Sequence, residues 1–144
     1  MKKLLFIALV ITGLAASANA QEVGVRFGSF SGNNVAIDGV FGLGEFSRIH
    51  ADVSFGDGVG IDALWDFLYK PLGDVEGLNW YTGAGVTTFI GDDFKLGVAG
   101  EIGIEYHFAG VPIALGIDWR PTLEIIDNTS FNADSFGFNA RFCF

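Results

Sequence analysis

The chain has 144 residues, half of them hydrophobic, with 15 Phe, 21 Gly and a formal net charge of −9. A single cysteine excludes an internal disulfide framework, and the acidic balance argues against nucleic acid, whose phosphates need basic patches. Beyond residue 20 no segment approaches 18 consecutive apolar residues, so no membrane-spanning helix is expected.

Residues 1–20 read as a targeting segment. Lys2 and Lys3 make a basic start, Leu4 to Ala16 is an apolar run broken by Thr12 and Gly13, and Ala18-Asn19-Ala20 is the small-x-small pattern that signal peptidase cuts. The run is too short to span a bilayer as a helix, which takes roughly 20 apolar residues. We expect a secretory signal peptide cut between Ala20 and Gln21, with Ala18 and Ala20 as the cleavage residues. The remaining 21–144 make one domain. Without Lys2 and Lys3 it carries 6 Lys+Arg against 17 Asp+Glu, a net charge of −11.

From Glu22 onward apolar residues recur at every second position, the period of a β-strand. The first segment, Glu22 to Ser29, sets Val23, Val25 and Phe27 opposite Gly24, Arg26 and Gly28. After a Ser31–Asn34 turn, Asn34 to Leu43 sets Val35, Ile37, Gly39 and Phe41 opposite Ala36, Asp38 and Val40. The third, Ser47 to Phe55, sets Ile49, Ala51, Val53 and Phe55 opposite Arg48, His50, Asp52 and Ser54. Gly56-Asp57-Gly58 is a tight hairpin signal. The fourth, Val59 to Lys70, sets Val59, Ile61, Ala63, Trp65, Phe67 and Tyr69 opposite Gly60, Asp62, Leu64, Asp66, Leu68 and Lys70.

A longer loop, Pro71 to Leu78, precedes the fifth segment, Asn79 to Ile90, in which Trp80, Ala84 and Val86 oppose Tyr81, Gly83 and Gly85. Gly91-Asp92-Asp93 turns into the sixth, Phe94 to Phe108. There Leu96, Val98, Ile102 and Ile104 oppose Lys95, Gly97, Glu101, Gly103, Glu105 and His107. The seventh, Pro112 to Ile126, sets Ile113, Leu115, Ile117, Trp119 and Leu123 opposite Ala114, Gly116, Asp118, Arg120 and Glu124. Pro121 lies inside it, and proline cannot donate to a ladder, so a bulge or a departure from the bilayer is expected there. Asp127 to Asp134 reads as a polar loop. The last segment, Ser135 to Phe144, sets Phe136, Phe138, Ala140, Phe142 and Phe144 opposite Ser135, Gly137, Asn139, Arg141 and Cys143.

Eight such segments joined by short turns predict an all-β, antiparallel up-and-down barrel. A soluble, lipocalin-like barrel with an apolar lumen is the competing architecture. The composition of the second face favours a barrel in lipid. It mixes charges with Gly24, Gly60, Gly85, Gly103 and Gly137, and glycine weakens a strand without gain at a solvated surface. In a narrow lumen it saves space. The Phe-rich face is therefore expected outward, with aromatic bands near the strand ends as interfacial girdles: Tyr69, Trp80, Tyr106, Phe108, Phe142 and Phe144 at one end, and Phe55, Phe94 and Phe136 at the other.

The inward face then collects Arg26, Arg48, Asp52, Asp66, Glu101, Glu105, Asp118, Arg120 and Arg141, with Asp38, Asp62, Glu124, Lys70 and Lys95 beside them. Charges in a narrow interior have to be paired. Neighbouring strands offer Arg26 beside Arg141, and Glu101 or Glu105 against Asp118 and Arg120. Such a set reads either as a gated ion path or as a structural plug. Eight strands leave an interior that side chains just fill, which favours the plug. His50 and His107 are expected at the terminal rim with Glu105 nearby, but without a placed nucleophile or a third ligand they make a weak case for catalysis or metal. Asp57, Asp92 and Asp93 suit turns as well as calcium, and Asn128-Thr129-Ser130 matches a glycosylation sequon, read as a chance match. No catalytic, cofactor or metal residue is assigned.

The terminal strand carries a family resemblance. With Phe144 last and Phe142, Ala140, Phe138 and Phe136 before it at alternate positions, the chain resembles the small eight-stranded OmpA/OmpX-type outer-membrane barrels of Gram-negative bacteria. The resemblance implies the outer membrane as location and outer-membrane lipid as surroundings. It also implies Phe138, Phe142 and Phe144 as the signal read by the barrel-assembly machinery, with periplasmic chaperones in transit. It is specific for fold and weak for function. The outer turns are short, unlike the long loops of OmpX-type adhesion proteins. The expectation is thus a monomeric, non-enzymatic barrel with a plugged polar interior and a structural or surface-interaction role. The alternatives are a narrow channel for ions or small solutes, a lipid-modifying barrel enzyme, or the lipocalin-like binder.

Overall fold

A computed structural model describes residues 21–29, 33–126 and 128–144. The expected signal peptide, with Ala18 and Ala20, lies outside the described residues. The strands are β1 (Gln21–Gly28), β2 (Val35–Gly42), β3 (Arg48–Phe55), β4 (Val59–Pro71), β5 (Leu78–Ile90), β6 (Phe94–His107), β7 (Ile113–Trp119), β8 (Thr122–Ile126), β9 (Ser130–Asn132) and β10 (Phe136–Cys143). The hydrogen-bonded order β5-β4-β3-β2-β1-β10-β7-β6 is closed by β5 pairing with β6. Both β7 and β8 lie along β6, and β9 and β10 follow β8 and β7 in the same way. The two pairs of segments are therefore single barrel strands with a break in each. The result is a closed, eight-stranded, antiparallel up-and-down barrel without helices among the described residues.

Closure rests on β10, which runs antiparallel to β1 from Glu22↔Cys143 to Gly28↔Gly137 and to β7 from Phe136↔Trp119 to Phe142↔Ile113. Its Phe face is outside: Phe138 is 45% exposed and stands between Phe27 on β1 and Ile117 on β7, themselves 47% and 60% exposed. Its other face is buried, with Gly137, Asn139 and Arg141 inside. The same division runs round the barrel. Ile37, Ile61, Trp65, Val86, Val98 and Ile104 are exposed, whereas Arg26, Asp38, His50, Asp66, Glu105 and Arg120 are buried.

The interior glycines make room for large neighbours. A Cβ on Gly137 would fall within the Arg26 guanidinium, one on Gly83 would meet Asp66 Oδ1 at 2.5 Å, and one on Gly116 would meet Asn139 Oδ1 at 2.5 Å. Real Cβ atoms do not approach so closely. Glycine is therefore what allows an eight-stranded lumen to hold long charged side chains at interior packing density.

Three local expectations change. First, the β4–β5 register shifts between Trp65 and Leu68, so Asp66 and Phe67 together face Gly83. This β-bulge inverts the alternation beyond it. Tyr69 pairs with Tyr81 and points into the barrel, while Lys70 pairs with Trp80 and is exposed. Tyr69 is thus not a girdle residue and Lys70 not a lumen residue. Lys70 Nζ instead sits 5.9 Å from the Phe46 ring on the outer surface.

Second, the β6 register runs unbroken past Pro121, from Ile102↔Trp119 to Ala99↔Thr122. Gly100 N–H donates to the Pro121 carbonyl at 2.9 Å, and proline returns no bond. The irregularity falls opposite, on the last strand, where Ala133, Asp134 and Ser135 face only Arg120 and Pro121. Third, the polar loop expected up to Asp134 contains β9, which pairs with β8 from Thr122↔Asn132 to Glu124↔Ser130.

Candidate functional site

Four arginines organise the lumen, and each is buried. Arg26 of β1 crosses over Gly137 of β10 to chelate Asp118 of β7, its Nε donating to Asp118 Oδ2 at 2.9 Å. Asn139 of β10 donates to the same carboxylate at 3.1 Å. Arg48 of β3 donates to Asp66 Oδ2 of β4 at 2.8 Å and to Glu105 Oε1 of β6 at 2.6 Å. Its guanidinium lies 4.4 Å from the Tyr69 ring and 4.3 Å from the Tyr81 ring, a cation–π clamp. The bulge in β4 supplies half of that clamp by turning Tyr69 inward.

Arg120, in the break between β7 and β8, fans into three carboxylates: Asp52 at 2.5 Å, Asp62 at 2.9 Å and Glu101 at 2.7 Å. These come from β3, β4 and β6, so one side chain ties opposite walls together. Arg141 of β10 reaches Asp38 at 2.6 Å, Glu105 at 2.6 Å and Glu22 at 3.3 Å. The residues expected in the lumen, namely Arg26, Arg48, Asp52, Asp66, Glu101, Glu105, Asp118, Arg120 and Arg141, are all placed there and in contact. Asp38, Asp62 and Glu22 join them. Lys95 and Glu124 pair at 3.8 Å as a half-exposed couple at the far end.

The partners differ from those expected of strand neighbours. Arg120 with Glu101 is such a pair, but Arg26 meets Asp118 rather than lying against Arg141, and Arg48 with Glu105 spans the lumen. His50 differs as well. Expected at the rim, it is fully buried, with Nδ1 3.0 Å from Glu101 and Nε2 2.6 Å from Asp38. Strand stagger in a barrel separates position along a strand from depth in the lumen, and Arg141 Nη2 stands 3.4 Å from His50 Nε2. Both ring nitrogens face carboxylates, an arrangement in which an imidazolium donates twice. Only His107 remains at the terminal mouth, 3.1 Å from Glu105 and 3.3 Å from Glu22.

Chemically, this is a set of paired charges in which eight carboxylates share four arginines and His50. Charge-assisted bonds to arginine are the strong class of hydrogen bond, and side chains alone link all eight barrel strands, β5 joining through Thr87, which donates to Asp62 at 2.5 Å. A polar cavity of about 80 Å³ opens at the end away from the termini, between Ser29, Thr87, Thr122 and Ser135, and ends on Asp62 and Arg120. The residues expected as an assembly signal lie on the outer wall. Phe138, Phe142 and Phe144 are 45%, 49% and 77% exposed, and the last two rings meet edge to face at 5.2 Å. Comparison with protein-family models, with curated proteins and with solved structures finds no match to this chain.

Proposed function

We propose that the protein is an integral outer-membrane barrel of a Gram-negative cell whose lumen is closed by its ion network, serving a structural or surface-interaction role. The observation that carries this reading is the inversion of polarity. Arginines and carboxylates fill the interior, while Phe27, Ile117, Phe138 and their like stand outside. A contiguous apolar wall is unfavourable in water and is what hydrocarbon accepts. Closure supports the same reading, because a barrel leaves no unpaired strand edge within lipid. Aromatic pairs near the ends, Tyr106 with Phe108 and Trp119 with Phe136, suit the two interfaces. In this reading the end bearing Gln21 and Phe144 faces the periplasm, outer-membrane lipid is the main partner, and the barrel is a monomer without enzymatic activity. Delivery runs through the general secretory pathway, periplasmic chaperones and the barrel-assembly machinery, with Phe138, Phe142 and Phe144 as the signal read.

Arg120 and Arg141, each held to three carboxylates, stand where a pore would have to run. Purified barrel in a planar lipid bilayer is expected to give no stable single-channel openings. Reproducible unitary conductance would replace the plugged barrel with the channel reading.

A further inference from the structure

We propose a zinc-class divalent metal site at the terminal mouth of the barrel, with Glu22, His107 and Cys143 as its ligands. Three strands deliver them. Glu22 of β1 and Cys143 of β10 face each other in register. His107, the last residue of β6, reaches over β7, where its register partner is the small buried Ala114, to stand 3.3 Å from Glu22 Oε1. One carboxylate oxygen, one imidazole nitrogen and the sulfur all lie within 4.8 Å of one another. Metal–ligand distances in zinc sites are about 2.0–2.3 Å. Donors sharing one ion are therefore separated by at most about twice that length, and the three atoms lie close enough together for one ion to be reached with small side-chain adjustments.

The donor set selects the metal. Thiolate with imidazole and one carboxylate suits zinc and its neighbours and disfavours calcium or magnesium, which take oxygen ligands. Cys143 is the only cysteine of the chain, so it has no internal disulfide partner. The surroundings hold the ligands in place. Arg141 Nη1 lies 3.3 Å from Glu22 Oε2, which leaves Oε1 facing His107. Glu105, fixed by Arg48 and Arg141, lies 3.1 Å from His107 Nε2, a hydrogen bond that the ion would replace. His107 is 30% exposed at its side chain, so solvent reaches the site, and three protein donors would leave the fourth tetrahedral position to water. Two other clusters, Asp38 with His50 and Asp52, and His50 with Asp66 and Glu101, are fully buried and already spent on arginines. They lack this access. As the metal–sulfur bond forms, the Cys143 S–H bond breaks and its proton leaves to solvent. His107 gives up to solvent the Nε2 proton that faces Glu105 and Glu22, turns the freed lone pair to the ion and keeps a proton on Nδ1.

Cobalt(II) is the probe, because a thiolate ligand gives it a sulfur-to-metal charge-transfer band in the near ultraviolet. Titration of the folded barrel is expected to raise this band with one equivalent of Co2+ per chain, release protons, and lose the band on addition of Zn2+. Cys143→Ser should abolish the band, and His107→Ala and Glu22→Gln should each weaken binding about 10-fold or more. Far-ultraviolet circular dichroism shows whether each variant keeps its sheet, and Cys143→Ala replaces any serine variant that does not. Absence of the band in the parent protein would overturn the site. So would a band that persists at unchanged affinity in folded His107→Ala. The outcome does not depend on whether the barrel resides in a membrane, since it reads only the mouth of the fold.

Discussion

Replacing Arg120 with methionine is expected to lower the unfolding free energy of the barrel by about 3–5 kcal/mol, the cost of leaving buried charges without a partner. Methionine keeps the unbranched stem out to about the position of Nε and removes every donor. Asp52, Asp62 and Glu101, now at 2.5, 2.9 and 2.7 Å from the guanidinium, would share the lumen with only His50, 3.0 Å from Glu101, as a cationic neighbour. Water can relieve part of that penalty at Asp62, on which the polar cavity ends, whereas Asp52 and Glu101 are buried. Arg120→Lys should fall between parent and methionine variant, because an ammonium keeps the charge but loses the fork that reaches three carboxylates. Urea titration of barrel folded into lipid vesicles, followed by tryptophan fluorescence, measures all three proteins. A methionine variant as stable as the parent would mean that the carboxylates are already hydrated and the lumen is wet, which would also undermine the plug.

Arginine at Phe138 is expected to cost about 2–4 kcal/mol, whereas arginine at Phe131 should cost only about 0–1 kcal/mol. Both residues lie on the last barrel strand and both are exposed, at 45% and 69%. They differ in depth. Phe138 pairs with Phe27 and Ile117 in the middle of the wall, and Phe131 belongs to β9 at the end remote from the termini. A solvated surface would treat the two substitutions alike, with changes within about 0.5 kcal/mol. The contrast between them therefore reports lipid around the wall, and the same vesicle titration reads it. Equal, negligible effects would point to water on the Phe face and to a soluble barrel.

Most of the architecture was legible because a half-buried strand writes its environment at every second residue. Val25, Arg26 and Phe27, or Ile117, Asp118 and Trp119, assign both faces of the wall without further information. The fifth strand, where Thr and Gly blur the pattern, still placed Tyr81 and Gly83 inside, and both are buried. The inversion at Asp66–Phe67 was not legible. Leu68 and Tyr69 are both apolar, so exchanging their faces leaves the hydrophobic pattern unchanged. The available signal was Gly83, whose missing side chain opposes the extra residue. β9 was hidden because Ser130 and Asn132 favour turns, with Phe131 as its one apolar residue.

The candidate site divides in the same way. Which charges face inward follows from parity along each strand, but which charge meets which follows from closure and stagger. Arg48 lies far from Glu105 in sequence and on a different wall, yet donates to it at 2.6 Å. His50 lies near a strand end and still at full burial. Glu22 and Cys143 are adjacent only because the first and last strands pair. The Glu22, His107 and Cys143 cluster therefore had no local motif by which to be found.

The most direct test of the central claim is cell fractionation followed by an electrophoresis gel that compares unheated and boiled samples of the outer-membrane fraction. A closed barrel resists unfolding by detergent until heated. We expect the protein in the outer-membrane fraction, running as a compact, faster species when unheated and at its full 21–144 length after boiling. Recovery in the soluble periplasmic fraction, or identical mobility before and after boiling, would contradict the account.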